Sequence, residues 1–509
     1  MKAIALQNKI KSSRVYTYCL HPLFFIAFFF LCSHNTKGQQ HYDFNPTLQK
    51  AYHNILQLDY KEAQALIELQ LKTVPDHAIG LYLKNFNDIL PIFIVEDKAA
   101  YSKFSSREKT VLNTLSKLPD TSPYYYFTQA EVKLHWGLLK LKFGDYAASA
   151  LNVRAAYKLL DEGLKKYPDF VPMQKSMALL RIIIGSIPET YSWLTDVAGL
   201  YGNLNKGLQE LAVVANGNTI YHTEAKLWLV LCEHYLLGQT DHLDMITNLS
   251  KLNPQNKLFT FLEVSLLIHD AHSETALAYY TNKQIDTEAF TLIPSFYYMQ
   301  GEIYLQKGLY TQAIACFQKY IQNYKGQAYI KDSYYKIFLA YWLLGNDKEA
   351  KHYKSLTLSK GSTKNDSDKQ AQKMAGKEVL PDKNIYRIRL MTDGGYLKEA
   401  LAISEKIGHQ SFNNLTDNIE FLYRKARLYH KSMDIERAIM MYNQTIEASV
   451  KTSDYFAPNS CLQLGYIYRN LEQNDKARVY FKKVFDYSHY EYKETIESKA
   501  KAGLSSLEK

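Results

Sequence analysis

The feature that most constrains this chain is a pattern of small and aromatic residues that recurs in its C-terminal part. The first copy places Tyr297, Gly301 and Tyr304 on one predicted helix, and Ala313 and Phe317 on the next. A glycine lets two antiparallel helices touch closely, a tyrosine one turn later fills the space between them, and an alanine fits at the crossing on the second helix. The pattern therefore predicts a helical hairpin.

This hairpin pattern recurs in one register. The matching residues of the later copies are Tyr334, Ile337, Tyr341 and Ala350, then Gly395 and Ala400 in a weaker copy, then Ala426, Tyr429, Ala438 and Tyr442, and finally Leu464, Gly465, Tyr468, Ala477 and Phe481. The alanines of successive copies are 37, 50, 38 and 39 residues apart. The pattern resembles the tetratricopeptide repeat (TPR) superfamily, whose standard repeat has about 34 residues. The resemblance implies an all-α fold, a TPR-like α-solenoid in which antiparallel helix pairs stack into a right-handed superhelix.

The spacing of the copies also divides the chain into regions. Residues 39–293 form an irregular helical, TPR-like array, residues 294–358 form a TPR pair, and residues 384–509 form a C-terminal TPR array with a capping helix. Between the last two lies the polar stretch 359–383, rich in Ser and Lys, which we predict to be a flexible insertion. The low content of glycine (22) and proline (13) agrees with long helices.

One segment of the irregular array has a motif of its own. The residues that define this motif by their spacing are Pro188, Gly199, Gly202, Gly207 and Leu208. It resembles the central motif of the eukaryotic tetratricopeptide-repeat 39 family, which is related to fungal inclusion-clearance proteins at the mitochondrial outer membrane, although Asn-Leu stands here in place of that family's acidic-basic pair. We predict a helix that begins at Pro188, a break at Gly199, and a turn before a new helix. No P-loop lysine follows, which favours a structural turn over a phosphate site.

Residues 1–38 have the pattern of an export signal. A basic start precedes an apolar run from Pro22 to Cys32, which is too short to span a bilayer. We expect cleavage after Gly38, with an uncleaved signal anchor as the alternative. Lipidation of Cys32 is disfavoured because the bulky Leu31 precedes it. The sequence thus predicts an exported protein, periplasmic or peripherally associated with the outer membrane of a Gram-negative bacterium, with no span beyond the signal.

The charge of the chain gives no indication of nucleic-acid binding. The formal net charge is +10, but without residues 1–38 the chain has 56 basic and 51 acidic residues, or +5. This small excess forms no basic stripe, so we expect no nucleic-acid partner. The three cysteines outside the signal, Cys232, Cys316 and Cys461, are far apart, and we interpret them as core residues rather than disulfide or zinc ligands.

The chain lacks recognisable catalytic motifs. It has no metalloprotease, redox or hydrolase signature, so we predict that it is not an enzyme and binds no cofactor or metal. The nearest approach to a ligand cluster is His269, His272 and Glu274, which we interpret as turn and capping residues before a helix. Glu224 and His234 are interpreted as ordinary polar positions beside an apolar helix.

The TPR resemblance implies a concave groove that binds a partner. In that family the groove is lined by the second, fifth, ninth, twelfth and thirteenth positions of each first helix. Carried over to this chain, these positions include Tyr298, Glu302, Tyr335, Trp342, Tyr423, Arg427, His430, Tyr466 and Arg469. Aromatic area mixed with charge suits a peptide or an extended polymer.

Three functional hypotheses follow as expectations. The first is a non-enzymatic scaffold of the cell envelope that binds a protein or peptide and assembles a complex. The alternative is a glycan-capture protein that resembles the TPR-based starch-binding proteins of the outer membrane. That family is normally lipidated and carries long loops, so the poor lipidation site at Cys32 and the continuous helical pattern argue against it. An enzyme whose site the sequence does not reveal is a third.

Overall fold

The computed structural model describes residues 40–507, apart from 188–198, 238–242, 283–292, 379, 408–411, 413 and 451. The predicted export signal lies outside the described residues. Within them the chain is helical, and no strand occurs among them.

Helices of the N-terminal half are α1 Pro46–Leu56, α2 Tyr60–Thr73, α3 Ala78–Val95, α4 Lys98–Phe104, α5 Arg107–Leu115, α6 Pro123–Phe143, α7 Tyr146–Lys166, α8 Val171–Gly185, α9 Leu204–Asn216, α10 His222–Leu237, α11 Leu243–Leu252, α12 Lys257–His269 and α13 Ser273–Asn282. Helices of the C-terminal half are α14 Ser295–Lys307, α15 Tyr310–Asn323, α16 Ile330–Leu344, α17 Asp347–Ser359, α18 Asp366–Gly376, α19 Lys383–Gly394, α20 Leu397–Ile407, α21 Leu415–Lys431, α22 Ile435–Ala448, α23 Phe456–Asn470, α24 Asn474–Lys483 and α25 Lys493–Ser506. Neighbouring helices pack in pairs along the chain, which confirms the predicted all-α solenoid.

The predicted contacts within the hairpins are present. A Cβ atom added to Gly301 would lie 2.8 Å from the ring of Phe317, and one added to Gly465 would lie 2.4 Å from the ring of Phe481. These distances are shorter than van der Waals contact, so only glycine fits opposite each phenylalanine. The anchoring residue Ala313 is fully buried. The close helix crossings therefore lie where the repeat pattern predicts them.

The polar stretch 359–383 differs from the flexible insertion expected from its composition. Residues Asp366–Gly376 form helix α18, which packs against α16. The side chain of Asp368 is buried and accepts hydrogen bonds from the backbone N–H groups of Tyr329 and Asp332, both at 2.9 Å. This carboxylate satisfies N–H groups at the start of α16 that a helix cannot pair internally. Within this stretch, Asp366–Gly376 is thus a folded part of the array.

The glycine-rich central segment brings α8 and α9 into close contact. A Cβ atom on Gly202 would lie 2.2 Å from the backbone nitrogen of Gly185, and one on Gly207 would lie 2.8 Å from the backbone oxygen of Ala178. The side chain of Asn203 caps α9 by accepting from the N–H of Lys206 at 2.9 Å. The predicted turn and new helix are confirmed, whereas the predicted helix from Pro188 lies outside the described residues.

The C-terminal helix α25 closes the superhelix onto its N-terminal half. It packs against α9 and α10, and Ala502 is buried in the same apolar cluster as residues of α8 and α9. Two hydrogen bonds support this contact, from Asn205 Nδ2 to the backbone oxygen of Ser505 at 3.0 Å and from Ser498 Oγ to that of Ser186 at 3.2 Å. Helix α25 thereby joins the C-terminal end of the array to helices in the middle of the chain.

One helix has the length and apolar composition of a membrane span, in contrast to the expectation that no later segment does. Helix α3 meets both criteria, but half of its residues are buried against the rest of the protein. It contains Pro91, and its Asn85 accepts a hydrogen bond from the indole of Trp136 at 2.8 Å. In the part of the chain that the structure describes, α3 packs as a core helix against α2 and α6.

A buried charge network ties α1, α6, α8 and α10 together. The ammonium of Lys175 is 2.7 Å from a carboxylate oxygen of Glu224, and Tyr52 also donates to that carboxylate. Lys175 is almost completely buried. Glu224 is therefore a core residue rather than an ordinary surface position, because a buried ammonium needs a paired carboxylate.

Candidate functional site: the concave cleft

The concave side of the repeats forms a cleft of about 540 Å³. Helices α12, α14, α16, α18 and α19 line it, and Tyr492 closes one side. Its volume lies in the range of ligand sites in proteins, about 300–1,000 Å³. The cleft is therefore large enough for a few side chains of a partner.

The first group of polar residues in the cleft centres on Lys336. Its ammonium lies 2.6 Å from Asp332 Oδ2 and also pairs with Glu302. The hydroxyl of Tyr298 donates to Asp332 at 2.6 Å. Burial raises the pKa of Glu302, although Lys336 opposes the shift. Burial lowers the pKa of Lys336, but the nearby Asp332 and Glu302 outweigh it and the pKa is raised, so the ammonium stays charged.

A second group of polar residues lies on α19 and α21, and Arg389 and Asp393 of this group line the cleft. Asp393 pairs with Arg427 at 2.9 Å and more loosely with Arg389 at 3.8 Å. The ring of Tyr386 lies 5.8 Å from the Arg389 guanidinium. About a third of the Arg389 side chain, 32%, remains exposed. Arg389 can therefore present N–H donors to a molecule in the cleft.

Of the residues predicted to line the groove, three lie in the cleft. Tyr298 and Glu302 come from α14 and Tyr335 comes from α16. The hydroxyl of Tyr335 is 2.6 Å from that of Tyr386, which fixes both rings. These three side chains are thus brought together and held by polar contacts.

Two predicted groove residues are packed within the protein instead. Trp342 belongs to the apolar cluster between α16 and α18, with its ring edge-on to Tyr386 and the ammonium of Lys383 5.3 Å from its ring. Tyr423 is fully buried beside Tyr442, and its hydroxyl accepts a hydrogen bond from the side-chain amide of Asn459. The helices at these repeats approach so closely that the inward side chains contact the next helix.

The remaining four predicted residues are not among those that line the cleft. Arg427 is held by Asp393, and His430 contacts the ring of Tyr442. Burial, with Lys431 and Arg427 nearby, lowers the pKa of His430 to about 4. Tyr466 packs edge-on against Phe481, and Arg469 donates to the backbone oxygen of Leu237 at 3.0 Å. Arg469 therefore links the C-terminal repeats to α10 across the concave side.

Four charged residues of the cleft were not predicted from the sequence: Asp332, Lys336, Arg389 and Asp393. A signal for one of them was available, because Arg389 precedes Ala400 by the same eleven residues that separate Glu302 from Ala313. The weakness of that repeat copy concealed it. Lys336 occupies no position of the groove rule and reaches the cleft through its length.

The residues His269, His272 and Glu274, singled out from the sequence, do not converge as one cluster. The ring of His272 lies 3.1 Å from the backbone oxygen of Asp270, and Glu274 pairs with Lys307 at 2.8 Å. His269 lines the cleft and meets His234 of α10. His234 is buried, so its interpretation as an ordinary polar position is wrong.

Comparisons with known proteins agree with the repeats that the sequence pattern predicts in the C-terminal half. Residues 294–327 and 458–488 match the family model of the tetratricopeptide repeat. No curated protein sequence matches significantly. Among solved structures, a chain of "Crystal structure of APC/C hetero-tetramer Cut9-Hcn1" is similar at 11% identity, covering 88% of this chain and 90% of that one, with a TM-score of 0.28. At that score nothing about function follows. The chain is a helical solenoid that contains tetratricopeptide repeats in its C-terminal half.

Proposed function

We propose that this protein is a non-enzymatic scaffold that binds a segment of another protein in the concave cleft. The observation that carries the proposal is the composition of the cleft, which is lined by equivalent positions of different repeats, as in Glu302 and Arg389. Repeats that present side chains to one continuous groove suit an extended chain, because each repeat contacts the next few residues of it.

The chemistry of the cleft favours a peptide with both apolar and polar groups. Tyrosine rings supply rigid area, and Arg389 and Lys336 supply donors to backbone or carboxylate oxygens. Glu302, Asp332 and Asp393 offer acceptors to N–H groups. Such amphipathic sites bury large areas while they satisfy polar groups, which is typical of residues that dominate interface energy.

The cellular setting of the proposal rests on the sequence. The export pattern of residues 1–38 supports a cell-envelope protein, periplasmic or associated with the outer membrane. Kinship with the tetratricopeptide-repeat 39 family rests on the glycine spacing around Gly202 alone, and a mitochondrial role is not part of the proposal. Glycan capture is the alternative, and Trp342, one of the aromatic platforms that it would use, is partly buried against an apolar cluster.

The proposal can be tested with the mature chain and one cleft variant. The change Arg389→Ala removes an accessible cleft guanidinium, and Arg437→Ala makes the same change on the outside, where Arg437 is 57% exposed. We expect Arg389→Ala to weaken capture of an envelope protein at least about tenfold, as for truncation of a central interface arginine, while Arg437→Ala leaves capture intact.

Two results would overturn the proposal. Equal capture by both variants would place the binding surface outside the cleft. Binding of oligosaccharides, but of no protein, that is lost in Arg389→Ala would favour the glycan alternative. Melting curves of both variants separate a lost contact from a lost fold.

A further inference from the structure

Three potential metal-ligating atoms converge at the rim of the cleft. His234 comes from α10, His269 is the last residue of α12, and Asp270 follows it. The distance is 2.8 Å from His234 Nε2 to His269 Nδ1, 3.0 Å from that atom to Asp270 Oδ1, and 3.6 Å from His234 Nε2 to Asp270 Oδ1. Two helices that are not consecutive thus present two imidazoles and a carboxylate to one point.

The triangle formed by these atoms has the size that a small transition-metal ion requires. Its corners lie about 1.9 Å from a common centre, so an ion about 0.9 Å out of the plane would be about 2.0–2.1 Å from all three atoms. Those are the bond lengths of Zn²⁺ to histidine nitrogen and carboxylate oxygen. Ligand atoms of a tetrahedral Zn²⁺ site are about 3.3 Å apart, so the two shorter separations, 2.8 and 3.0 Å, would widen slightly on binding.

The fold buries two of the three candidate ligand residues and fixes the end of helix α12. His234 and Asp270 are 2% and 8% exposed, whereas 44% of the His269 side chain remains accessible. The N–H of Asp270 donates to the backbone oxygen of Leu266 at 2.9 Å, which fixes the end of α12. The buried side of the cluster is therefore held by the fold, and the open side faces the cleft that His269 lines.

One nearby charge opposes a cation. The ammonium of Lys431 lies 3.5 Å from the backbone oxygen of Asp270. It contacts the main chain rather than the carboxylate, and its charge reduces the affinity for a positive ion. Because two of the ligands are nitrogen atoms, the site discriminates against Ca²⁺ and Mg²⁺, which prefer oxygen.

We propose that His234, His269 and Asp270 bind a divalent transition-metal ion, with Zn²⁺ the best fit, and that its remaining coordination position opens toward the cleft. This site differs from the expectation that the chain binds no metal. The ion connects α10 to the turn between α12 and α13, so it braces one wall of the cleft. The proposal stands independently of the identity of any partner.

Calorimetric titration of the full chain with Zn²⁺, after removal of metal by a chelator, tests the site. We expect one high-affinity equivalent and a rise in melting temperature. His269→Ala and Asp270→Asn should each weaken binding at least about tenfold, because each removes a direct ligand. His352→Ala, which changes an exposed histidine of α17, is the matched control and should bind like the unchanged protein.

The Co²⁺ complex gives a second readout. Binding through two imidazoles and a carboxylate produces visible absorption of a low-coordinate site, and His269→Ala should abolish it. Circular dichroism shows whether each variant is folded, and the accessible position of His269 makes that variant the decisive one. No Zn²⁺ binding by the unchanged chain, or the same affinity and Co²⁺ spectrum in His269→Ala as in His352→Ala, would overturn the proposal.

Discussion

At the scale of single residues, what faces a glycine decides whether a side chain can replace it. Gly465 faces the ring of Phe481 at a helix crossing, where an added Cβ would lie 2.4 Å from a ring atom. Nothing lies within 4 Å of the Cβ position of Gly376 at the end of α18. Two glycines in helices of one array thus have opposite tolerance for the same change.

We predict that Gly465→Ala lowers the free energy of unfolding by about 1–3 kcal/mol, the usual cost of overpacking. Gly376→Ala should leave it unchanged or raise it slightly, because alanine favours helix. Urea denaturation of both variants measures the difference. Equal stability of the two would mean that α23 and α24 do not cross at Gly465.

A second prediction concerns pH and His135. Burial, together with Lys175, lowers the pKa of this imidazole to about 3, although Glu224 opposes the shift. The ring stacks 4.6 Å from Phe86 in the core. Below a pH of about 6.5 this imidazole is protonated in the unfolded chain but stays neutral in the folded chain. The free energy of unfolding therefore falls as the pH drops.

The size of this effect follows from the proton linkage. Between pH 7 and pH 5, His135 should account for a loss of about 2 kcal/mol. His135→Gln should remove that share, so the stability of the variant declines less over this range in thermal melts. His352→Ala, at an exposed position, is the control. An unchanged slope in His135→Gln would contradict the assignment.

The sequence predicts single positions unevenly. The anchoring residues Ala313 and Gly301 could be placed because one crossing requires one size of side chain. Tyr298 and Tyr423 occupy equivalent groove positions, yet Tyr298 lines the cleft and Tyr423 is fully buried. The register fixes the direction of a side chain, but the distance to the next helix decides whether it meets solvent or a neighbour.

At the scale of helices, α18 shows how composition misleads. The polar stretch contains only a few apolar residues, but Ala371, Met374 and Ala375 lie on one face and are buried against α16. The carboxylate of Asp368 docks the first turn onto the start of α16. A narrow apolar face with one buried polar anchor gives a weak periodic signal, and the tertiary contact outweighs it.

We predict that limited proteolysis spares the lysines within α18 in the unchanged protein. Asp368→Ala leaves two buried N–H groups without their acceptor, which costs about 1–3 kcal/mol each, and should open the helix to trypsin. Lys369→Arg changes an exposed residue of the same helix, keeps the trypsin site and serves as the control. Rapid cleavage of the unchanged chain within Asp366–Gly376 would contradict the docked helix.

At the scale of the whole molecule, the array is closed by contacts between its C-terminal helix and the middle of the chain. The hydrogen bond of Asn205 to Ser505 joins residues 300 positions apart. Periodicity describes each repeat and its neighbour, so it cannot predict a contact of this range. The sequence thus predicts the solenoid and its hairpins, whereas the closure and the enclosed cleft depend on the accumulated curvature of every repeat.

The closure leads to a prediction for α25. Ala502→Glu places a charge in the apolar cluster with α8 and α9, at a cost of about 3 kcal/mol or more. We expect faster hydrogen exchange in α9 and α10 and a larger radius of gyration in solution scattering. Lys493→Ala at the exposed start of α25 should change neither. Identical scattering and hydrogen exchange for both variants would show that the packing of α25 on α9 and α10 does not depend on Ala502.

The central claim, that the concave cleft binds a protein segment, is tested most directly by photo-crosslinking in native envelope extracts. A photoreactive residue in place of Gln370 or Leu390, which line the cleft from α18 and α19, is compared with one in place of the exposed Val479 of α24. We predict that both cleft positions crosslink to one segment of one protein, that Arg389→Ala suppresses both, and that position 479 gives no such product. Crosslinking of that protein from position 479 but from neither cleft position would contradict the claim.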